Sequence, residues 1–382
     1  MKYLIIVPDG MADYPIEGKT ALEMAYTPNM DRLAKEGIIG TTRTIPEDMP
    51  AGSDVACLSL LGYDPRVYYK GRAPLEAASM GVFLKEDEVA FRCNLVTVKN
   101  GIMKDFSAGH IKTDEASEII RLVDKELGRE EIKFYPGVSY RHLLVLSSFL
   151  IPNPFNITCT PPHNITGEDY LLHFPSGSEA PILTGLMEAS RDILRGREYG
   201  NMIWLWGGGI KMDIPKITEK FNIKGSVISA VDLVKGLGIL AGLKPIDVPG
   251  ATGYFDTNYL NKAKYGLSAL EDNDLVFIHI EAPDEAGHNK DLEQKIKAIE
   301  EIDEKILGFI LSNLASDVRI LLISDHLTPI SLGTHTSDPT PFVIWEKGKL
   351  EKGKGNCFNE KEAKNGIFLA QGTELIKMLF SA

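Results

Sequence analysis

Acidic and imidazole side chains follow three apolar runs that have the length of β-strands, namely YLIIV, LVFIHI and VRILLI. The residues that stand after these runs are, in chain order, Asp9, Asp284, His288, Asp325, His326 and His335. Zn²⁺ and Mn²⁺ accept carboxylate and imidazole ligands, and six such ligands are too many for one tetrahedral ion. Two ions about 3.5–4 Å apart form a clamp for in-line displacement at phosphorus. The pattern therefore predicts a two-metal centre.

Each of these residues also has an ordinary explanation when it is considered alone. Asp9 precedes a glycine, and Asp-Gly is common in turns. Asp284 and His288 fit an acidic helix start with a polar neighbour. Asp325 and His326 together are harder to explain, because the exit of a buried strand rarely needs both. Their joint occurrence at equivalent places favours a metal site over three coincidences.

A candidate nucleophile, Ser53, stands between small residues and an apolar run in PAGSDVACLSLLG. Taken alone, this position is typical of a helix N-cap. Near a metal, the Ser53 hydroxyl would instead be activated for nucleophilic attack. The free N–H groups at the start of the helix would then receive phosphate oxygens.

Strand-like and helix-like segments alternate in residues 1–72 and again from about residue 200 onward. This alternation predicts an α/β fold with a mostly parallel central sheet and helices on both faces. Ligands bind at the carboxyl ends of the strands in such sheets, which is where the acids and histidines stand. We therefore expect a metal-binding phosphotransferase domain formed by residues 1–73 and 196–382.

Residues 74–195 have a different character, with short strand-like runs, one helical segment and a loop rich in proline and asparagine. We expect them to form an inserted, smaller α+β cap domain with an antiparallel sheet. The following run, NMIWLW, is interpreted as a strand that returns the chain to the larger domain.

The composition limits the classes of protein that remain. A net charge of −12 argues against binding nucleic acid through a broad basic face. No apolar run approaches the roughly 20 residues of a membrane helix, and the N-terminus looks like a strand, so no membrane is expected and the cytoplasm is the expected location. The four cysteines are scattered, which fits reduced thiols.

Two sequences imitate nucleotide-binding motifs. EGKT, which ends at Thr20, resembles the end of a P-loop, but Asp13 stands where that loop needs glycine. The dinucleotide-like pattern that begins at Gly236 lies inside a helical run rather than at a strand-to-helix turn. Neither motif is convincing, so no nucleotide is required.

The motifs VPDGMADYP, GSDVACLSLLGYDP, GRAPLEAASMG, EAPDEAGH, SDH and THT resemble those of the cofactor-independent phosphoglycerate mutases, archaeal type, of the alkaline phosphatase superfamily. The resemblance extends over nearly the whole chain. It implies an alkaline phosphatase-like fold and an isomerase that interconverts 3-phosphoglycerate and 2-phosphoglycerate through a phosphoserine. It also implies two divalent metal ions, Mn²⁺ or Zn²⁺, and no 2,3-bisphosphoglycerate.

The resemblance divides the ligands between the two ions. One ion would be held by Asp284, His288 and His335. The other would be held by Asp9, Asp325 and His326 beside the nucleophile Ser53. Cys57 departs from the family pattern, since relatives are expected to carry His or Asn there, and simple packing is its plainest explanation.

The cap domain of the family grips a small anionic phosphate ester. The residues expected to do so here are Lys70, Arg72, Arg92, Asp105, His110, Arg141 and His142. Arginine suits both phosphate and carboxylate because its planar fork donates paired hydrogen bonds. His110 lies in the segment that resembles the family motif with an essential histidine, and His110 or Asp105 would move protons. Each of these cap residues has an alternative explanation as a surface residue.

Three functions stay open at this point. They are a mutase, a phosphotransferase of the homoserine kinase type, which the same branch includes, and a non-catalytic protein stabilised by metal. A simple phosphatase is a variant of the first, because water that reached the phosphoserine would hydrolyse it. The charge pattern of the helical segment 291–311 favours an exposed outer face, although a homo-oligomer also stays open.

Overall fold

The computed structural model describes residues 1–314, 317–349 and 355–381. It divides into two compact units, a larger one from Met1–Tyr69 and Asp213–Ala382 and a smaller one from Lys70–Met212. In the described residues, no helix is both long enough and apolar enough to cross a membrane.

The strands of the described residues, numbered along the chain, are β1 Lys2–Pro8, β2 Ile38–Thr42, β3 Glu88–Lys99, β4 Ile102–Asp105, β5 Ile132–Tyr135, β6 Arg141–Ser147, β7 Met202–Ile210, β8 Gly225–Ile228, β9 Lys244–Pro245, β10 Leu275–Ile280, β11 Val318–Ile323, β12 Thr340–Glu346 and β13 Ile367–Leu369. The α-helices are α1 Ala21–Met24, α2 Pro28–Glu36, α3 Ser53–Leu60, α4 Pro65–Tyr68, α5 Ala73–Ser79, α6 Thr113–Leu127, α7 Ala180–Ile193, α8 Ile217–Lys220, α9 Asp232–Leu240, α10 Tyr259–Asp272, α11 Ala282–His288, α12 Leu292–Glu301, α13 Phe309–Asn313, α14 Glu360–Lys364 and α15 Thr373–Phe380. Short 3₁₀ turns occur at Pro154–Asn156, Pro162–Ile165 and Tyr170–His173, and a π-helical turn, Ile302–Gly308, joins α12 to α13.

The larger unit is built on a mixed eight-stranded sheet in the order β13-β2-β12-β11-β1-β10-β8-β9. The pairs that β12 makes with β11 and β2 are antiparallel, and the other pairs are parallel. The central strands β1, β10 and β11 are buried almost from end to end. Near-continuous apolar runs are typical of parallel strands that are covered on both faces.

Helices cover both faces of this sheet. Leu4 and Ile6 of β1 belong to a core that also contains Ile299, Ile302 and Ile306 from the segment α12 to α13. On the other face, α9 approaches β8 so closely that a Cβ added at its Gly238 would lie 2.6 Å from Val227 Cγ1, and Phe380 of α15 packs against Tyr3. The 291–311 segment thus buries one apolar side in the core, and its charged residues Asp291, Glu293 and Lys297 are exposed, as expected. A π-helical turn interrupts the helix.

The smaller unit contains an antiparallel sheet of β4, β3, β6 and β5, with β7 paired to β3. One face packs on α6 and α7 through residues such as Phe91 and Leu144. The other face packs on α5 through Ala90 and Leu143. Successive strand residues alternate between these two faces.

The observed boundaries of the smaller unit differ from the expected insertion of residues 74–195. The run NMIWLW was expected to return the chain to the larger domain. It instead forms β7, which pairs with β3 from Val89 to Val96. The unit therefore continues to Met212, because its sheet needs that strand.

Candidate functional site

The order β11-β1-β10 places three strand exits side by side in the larger unit. Asp9 follows β1 directly, and Asp325 follows β11 after one serine. Asp284 lies in the first turn of α11, which begins two residues after β10. The structure places the three acids near one another. A ligand atom of His326 lies within 4.8 Å of those of Asp284 and His335, and one lies within the same distance of those of Asp9 and Asp325.

The first group consists of Asp284, His288 and His335. His288 Nε2 lies 3.2 Å from one Asp284 oxygen and His335 Nε2 lies 3.3 Å from the other. The two Nε2 atoms are 2.9 Å apart. His288 Nδ1 is 3.0 Å from the carbonyl oxygen of Gly333, which turns Nε2 toward Asp284. Such a backbone contact on the outer nitrogen is typical of a metal-binding imidazole.

The second group consists of Asp9, Asp325 and His326, with Ser53 beside it. His326 Nε2 lies 3.2 Å from Asp9 Oδ1 and 3.5 Å from Asp325 Oδ2. Ser53 Oγ is 3.1 Å from His326 Nε2 and 3.3 Å from Asp9 Oδ1. Asp325 Oδ1 accepts hydrogen bonds from the backbone N–H groups of Gly10 and His326. Asp325 Oδ2 is buried without a hydrogen-bond partner.

Ser53 is not the N-cap of α3, so that alternative is wrong. The N-cap residue is Gly52, and Ser53 is the first residue of the helix. The Ser53 side chain makes no capping hydrogen bond and is turned toward Asp9 and His326. The hydroxyl thus lies beside the second group, as a nucleophile there would.

The electrostatics of the two groups show an excess of negative charge. Burial, and then the charges of Asp325 and Asp284, raise the pKa of Asp9 well above its ordinary value. Burial works in the same direction on Asp284, but hydrogen bonds with His288 and His335 hold the pKa of that carboxyl well below its ordinary value. The Asp284 carboxylate in turn raises the pKa of His288 to about 9. The neighbouring carboxylates repel one another when they are ionised, and a divalent cation bound between them would offset that repulsion.

Three guanidinium groups, those of Arg72, Arg92 and Arg141, form what we call the arginine face of the smaller unit. Burial, and then the charges of Arg72 and Arg141 against the opposing effect of Glu76, lower the pKa of Arg92. A Cβ added at Gly207 would lie 3.1 Å from Arg92 Cδ and 3.8 Å from Arg72 Cβ, so the arginines pack closely around that glycine. The structure therefore brings these three predicted residues together.

Aromatic rings support the arginine face. The guanidinium carbon of Arg92 lies 3.9 Å from the ring centre of Trp206, and that of Arg141 lies 5.2 Å from the ring centre of Tyr140. Phe106, in the loop that follows β4, contacts Tyr140 with 5.9 Å between ring centres. This contact places the loop of Asp105 and His110 next to the face.

Asp105 and His110 have different roles in that loop. Asp105 Oδ1 accepts hydrogen bonds of 2.7 Å from both the N–H and the hydroxyl of Ser107, and Oδ2 accepts one from Gly109. These bonds outweigh the effect of partial burial and lower the pKa of Asp105. Its carboxylate is therefore engaged in holding the loop, whereas the His110 side chain is exposed.

The structure does not bring His142 to the arginine face. Arg141 pairs with Asn94 and His142 pairs with Cys93, so the two neighbours point to opposite sides of the sheet. His142 is buried, and its Nδ1 accepts a hydrogen bond of 3.0 Å from Gly137 N. The structure therefore contradicts the expectation that His142 binds the substrate together with Arg141. Lys70 is half-buried, and its carbonyl oxygen accepts a hydrogen bond from Ile210 N.

Comparison with known proteins decides the family. The model of the family "2,3-bisphosphoglycerate-independent phosphoglycerate mutase" matches residues 34–199. A protein of that name from Methanosarcina acetivorans is 49% identical over 397 residues, covering 99% of this chain and 99% of the relative. The chain belongs to the 2,3-bisphosphoglycerate-independent phosphoglycerate mutase family.

Solved structures agree with this membership in the mutase family. A protein from Pyrococcus horikoshii superposes with a TM-score of 0.82 at 30% identity, over 99% of this chain and 96% of that one. The cofactor-independent phosphoglycerate mutase from Thermoplasma acidophilum superposes with a TM-score of 0.63 at 25% identity, over 99% of this chain and 98% of that one.

The residues of this mutase family member fit divalent metal ions. Asp325 Oδ2 has no hydrogen-bond partner although it is buried, which is unusual for a carboxylate oxygen and is explained if it binds a cation. The mixed carboxylate and imidazole set suits Zn²⁺ or Mn²⁺.

Sequence analysis missed residues that orient the ligands in this mutase family member. The Thr328 hydroxyl donates to Asp284 Oδ1 and lies 3.2 Å from His326 Nδ1, so it ties the two groups together. His279 lies inside β10, with Glu281 directly after that strand. A histidine in the otherwise apolar run LVFIHI was the available signal, and it was treated only as part of a strand.

Proposed function

We propose that this protein interconverts 3-phosphoglycerate and 2-phosphoglycerate, with Ser53 carrying the phosphoryl group between the two halves of the reaction. The observation that carries the proposal is the position of Ser53 Oγ, 3.1 Å from His326 Nε2 and 3.3 Å from Asp9 Oδ1. A hydroxyl that only capped its helix would not face these groups. Membership in the mutase family supports the same reaction.

We assign one metal ion to Asp284, His288 and His335. The second would be held by Asp9, Asp325 and His326, with Ser53 as a further ligand. When bound, such ions lower the pKa of a neighbouring hydroxyl and neutralise charge on phosphoryl oxygens. The choice between Mn²⁺ and Zn²⁺ is part of the proposal, because both accept this ligand set.

The reaction consists of two phosphoryl transfers, one to Ser53 and one from Ser53 back to glycerate. Ser53 Oγ attacks phosphorus in line, so that a new O–P bond forms while the bond from phosphorus to the 3-oxygen of the substrate breaks. The proton lost by Ser53 balances the proton gained by that 3-oxygen. The 2-hydroxyl of glycerate then attacks the phosphoserine, which breaks the Ser53 O–P bond and returns a proton to Ser53. Backbone N–H groups at the start of α3 receive the phosphoryl oxygens.

We assign binding of the substrate's anionic groups to Arg72, Arg92 and Arg141. Guanidinium groups held against aromatic rings lose little freedom when they bind an anion. We assign proton transfer to His110 rather than Asp105, because the Asp105 oxygens already accept three hydrogen bonds. Lys70 stays a candidate for the same anion site.

The test compares Ser53→Ala with Ser59→Ala, a buried serine on the same helix. We expect Ser53→Ala to lose at least about 10³-fold in the rate of 2-phosphoglycerate formation, whereas Ser59→Ala stays near the parent. Mass spectrometry after incubation with substrate should find phosphate on Ser53. A parallel assay with homoserine and ATP, and one for phosphate release, should show little turnover. Normal mutase activity in Ser53→Ala would overturn the proposal.

A further inference from the structure

A second set of potential ligands lies beside the proposed metal pair in the larger unit. It consists of Cys57 in α3, His279 in β10 and Asp325 after β11. One ligand atom from each lies within 4.8 Å of the other two, and all three side chains are fully buried. Cys57 and His279 have no part in the mutase reaction as proposed above.

Several polar atoms of this set are buried without a hydrogen-bond partner. They are both ring nitrogens of His279 and the Oδ2 atom of Asp325. More than about 90% of buried polar groups in proteins are hydrogen-bonded. His279 Nδ1 faces Glu281, so His279 Nε2 and Asp325 Oδ2 are the two atoms whose lack of a partner indicates that a ligand completes the site.

The surroundings of His279 indicate which nitrogen would bind a metal. His279 Nδ1 lies 3.3 Å from Glu281 Oε1, and Nε2 lies 3.4 Å from Asp9 Oδ2. Glu281 is held in place by Lys262 Nζ at 2.6 Å and by Ser229 Oγ at 3.0 Å. A metal-binding histidine usually directs its second N–H to such a carboxylate. His279 Nδ1 therefore faces Glu281, and Nε2 is the nitrogen directed at the ligand cluster.

The spacing also fits a bound cation. His279 Nε2 and Asp9 Oδ2 are 3.4 Å apart. Two ligand atoms about 2.0–2.1 Å from a tetrahedral zinc ion are separated by about 3.3 Å. The observed distance therefore leaves room for a cation in contact with both atoms.

We propose a third cation position, bound by the Cys57 thiolate, His279 Nε2 and the Asp325 carboxylate, with Asp9 facing it. A thiolate ligand selects Zn²⁺ over Mn²⁺ and Mg²⁺, so the position takes zinc. The thiol proton leaves to solvent when the ion binds. The ion screens the repulsion between Asp9 and Asp325, and it requires neither Ser53 nor turnover. The inference thus goes beyond the proposed function.

The test is X-ray absorption spectroscopy of the full-length protein, stripped of metal and reloaded with excess Zn²⁺. We expect a sulfur scatterer about 2.3 Å from zinc in the parent protein. Cys57→Ala should lose this signal and bind one zinc equivalent fewer by elemental analysis. Cys93→Ala is the matched control, because Cys93 is equally buried but lies in the smaller unit. It should keep both the signal and the zinc.

The alternative is a doubly protonated His279 that bridges Asp9 and Glu281 without metal. It predicts no sulfur scatterer in the parent protein, and that result would overturn the proposal even if Cys57→Ala failed to fold. His279→Gln provides a second variant and should lose the sulfur signal as well. Ser53→Ala should retain it, so failure of the mutase mechanism and failure of the third site are distinguishable.

Discussion

The ligand cluster of the larger unit and the arginine face of the smaller unit have opposite imbalances of charge. In the first, the carboxylates of Asp9, Asp284 and Asp325 lie close enough to perturb one another's protonation. In the second, burial and then the charges of Arg72 and Arg141 lower the pKa of Arg92, against the opposing charge of Glu76. Each therefore favours a ligand of the opposite sign, a cation in one case and an anion in the other.

The two regions also respond differently to substitution, because metal ligands act together and anion ligands act more independently. If the two regions are separable, a substitution in one should leave the ligand binding of the other unchanged.

Asp325→Asn should damage the ligand cluster most. Asp325 is fully buried, and it lies between His326 and the unpaired atoms of His279. We expect mutase activity to fall about 10³-fold or more and metal content to drop, while phosphate binding by the arginine face is unchanged. An enolase-coupled assay measures the mutase activity, and elemental analysis measures the metal content. Asp247→Asn, an exposed surface acid, is the control. Full metal content in Asp325→Asn would contradict the assignment.

Glu76→Gln should increase the excess of positive charge on the arginine face, because it removes the carboxylate that is paired with Arg92. The Arg92 Nε to Glu76 Oε2 distance is 2.8 Å, and both side chains are about 10% exposed. Removing one partner of a buried pair costs about 3–5 kcal/mol in the free energy of unfolding. We expect inorganic phosphate to restore part of that loss, since an added anion would replace the missing charge. Denaturant unfolding with and without phosphate measures both.

A matched variant for that experiment is Glu86→Gln, since the Glu86 side chain is 83% exposed in its ion pair with Lys211. It should change the free energy of unfolding by less than about 1 kcal/mol, with no special response to phosphate. Equal responses of the two variants would mean that the arginine face binds no anion.

Arg141→Ala should weaken binding without touching the metals. A hydrogen bond to a charged group contributes about 1.5–3 kcal/mol, so we expect the KM for 3-phosphoglycerate to rise about 10- to 100-fold. The metal content should match the parent protein. Arg141→Lys should recover only part of the loss, because lysine lacks the planar fork. Lys133→Ala, an exposed cation on β5, should leave KM unchanged. An unchanged KM in Arg141→Ala would remove this residue from the substrate site.

The comparison also explains how far sequence could predict each region. The ligand cluster depends on a regular feature, polar residues at the exits of adjacent buried strands, so Asp9, Asp284 and Asp325 could be predicted to converge. The arginine face depends on which side of a strand each residue occupies. Arg141 and His142 are neighbours in a strand and so point to opposite sides, but only the pairing of β6 with β3 shows which of the two shares a side with Arg92.

Two other features could not be read from local patterns. The membership of β7 in the smaller unit depends on its pairing with β3, which is separated from it by more than a hundred residues in the chain. The histidine in LVFIHI is visible in the sequence, but its contacts with Cys57 and Asp325 come from segments far away in the chain. In both cases the deciding contacts are between segments that are distant in sequence.

The smallest predicted effect concerns two imidazoles, one in each unit, whose pKa values their surroundings shift in opposite directions. Asp284 raises the pKa of His288 to about 9, whereas burial lowers the pKa of His142 to about 3. An unfolded chain binds a proton at His142 below a pKa of about 6.5, and the folded chain does not. The unfolded state thus holds more protons between about pH 3 and 6.5, so stability must fall as the pH falls through that window.

His142→Gln should remove that contribution, because glutamine does not titrate and can still accept the hydrogen bond from Gly137 N. Between pH 7 and pH 6 this linkage changes by only about 0.7 kcal/mol, so the variant should lose less stability than the parent over that interval by roughly that amount. Denaturant unfolding at both pH values measures it, and His173→Gln, a half-exposed imidazole of the same unit, controls for loss of a histidine. If the free energy of unfolding of the variant changed with pH as much as that of the parent, His142 would be charged in the folded state. The opposite face of the β3–β6 pair would then also carry positive charge, and the separation between the arginine face and the buried core would fail.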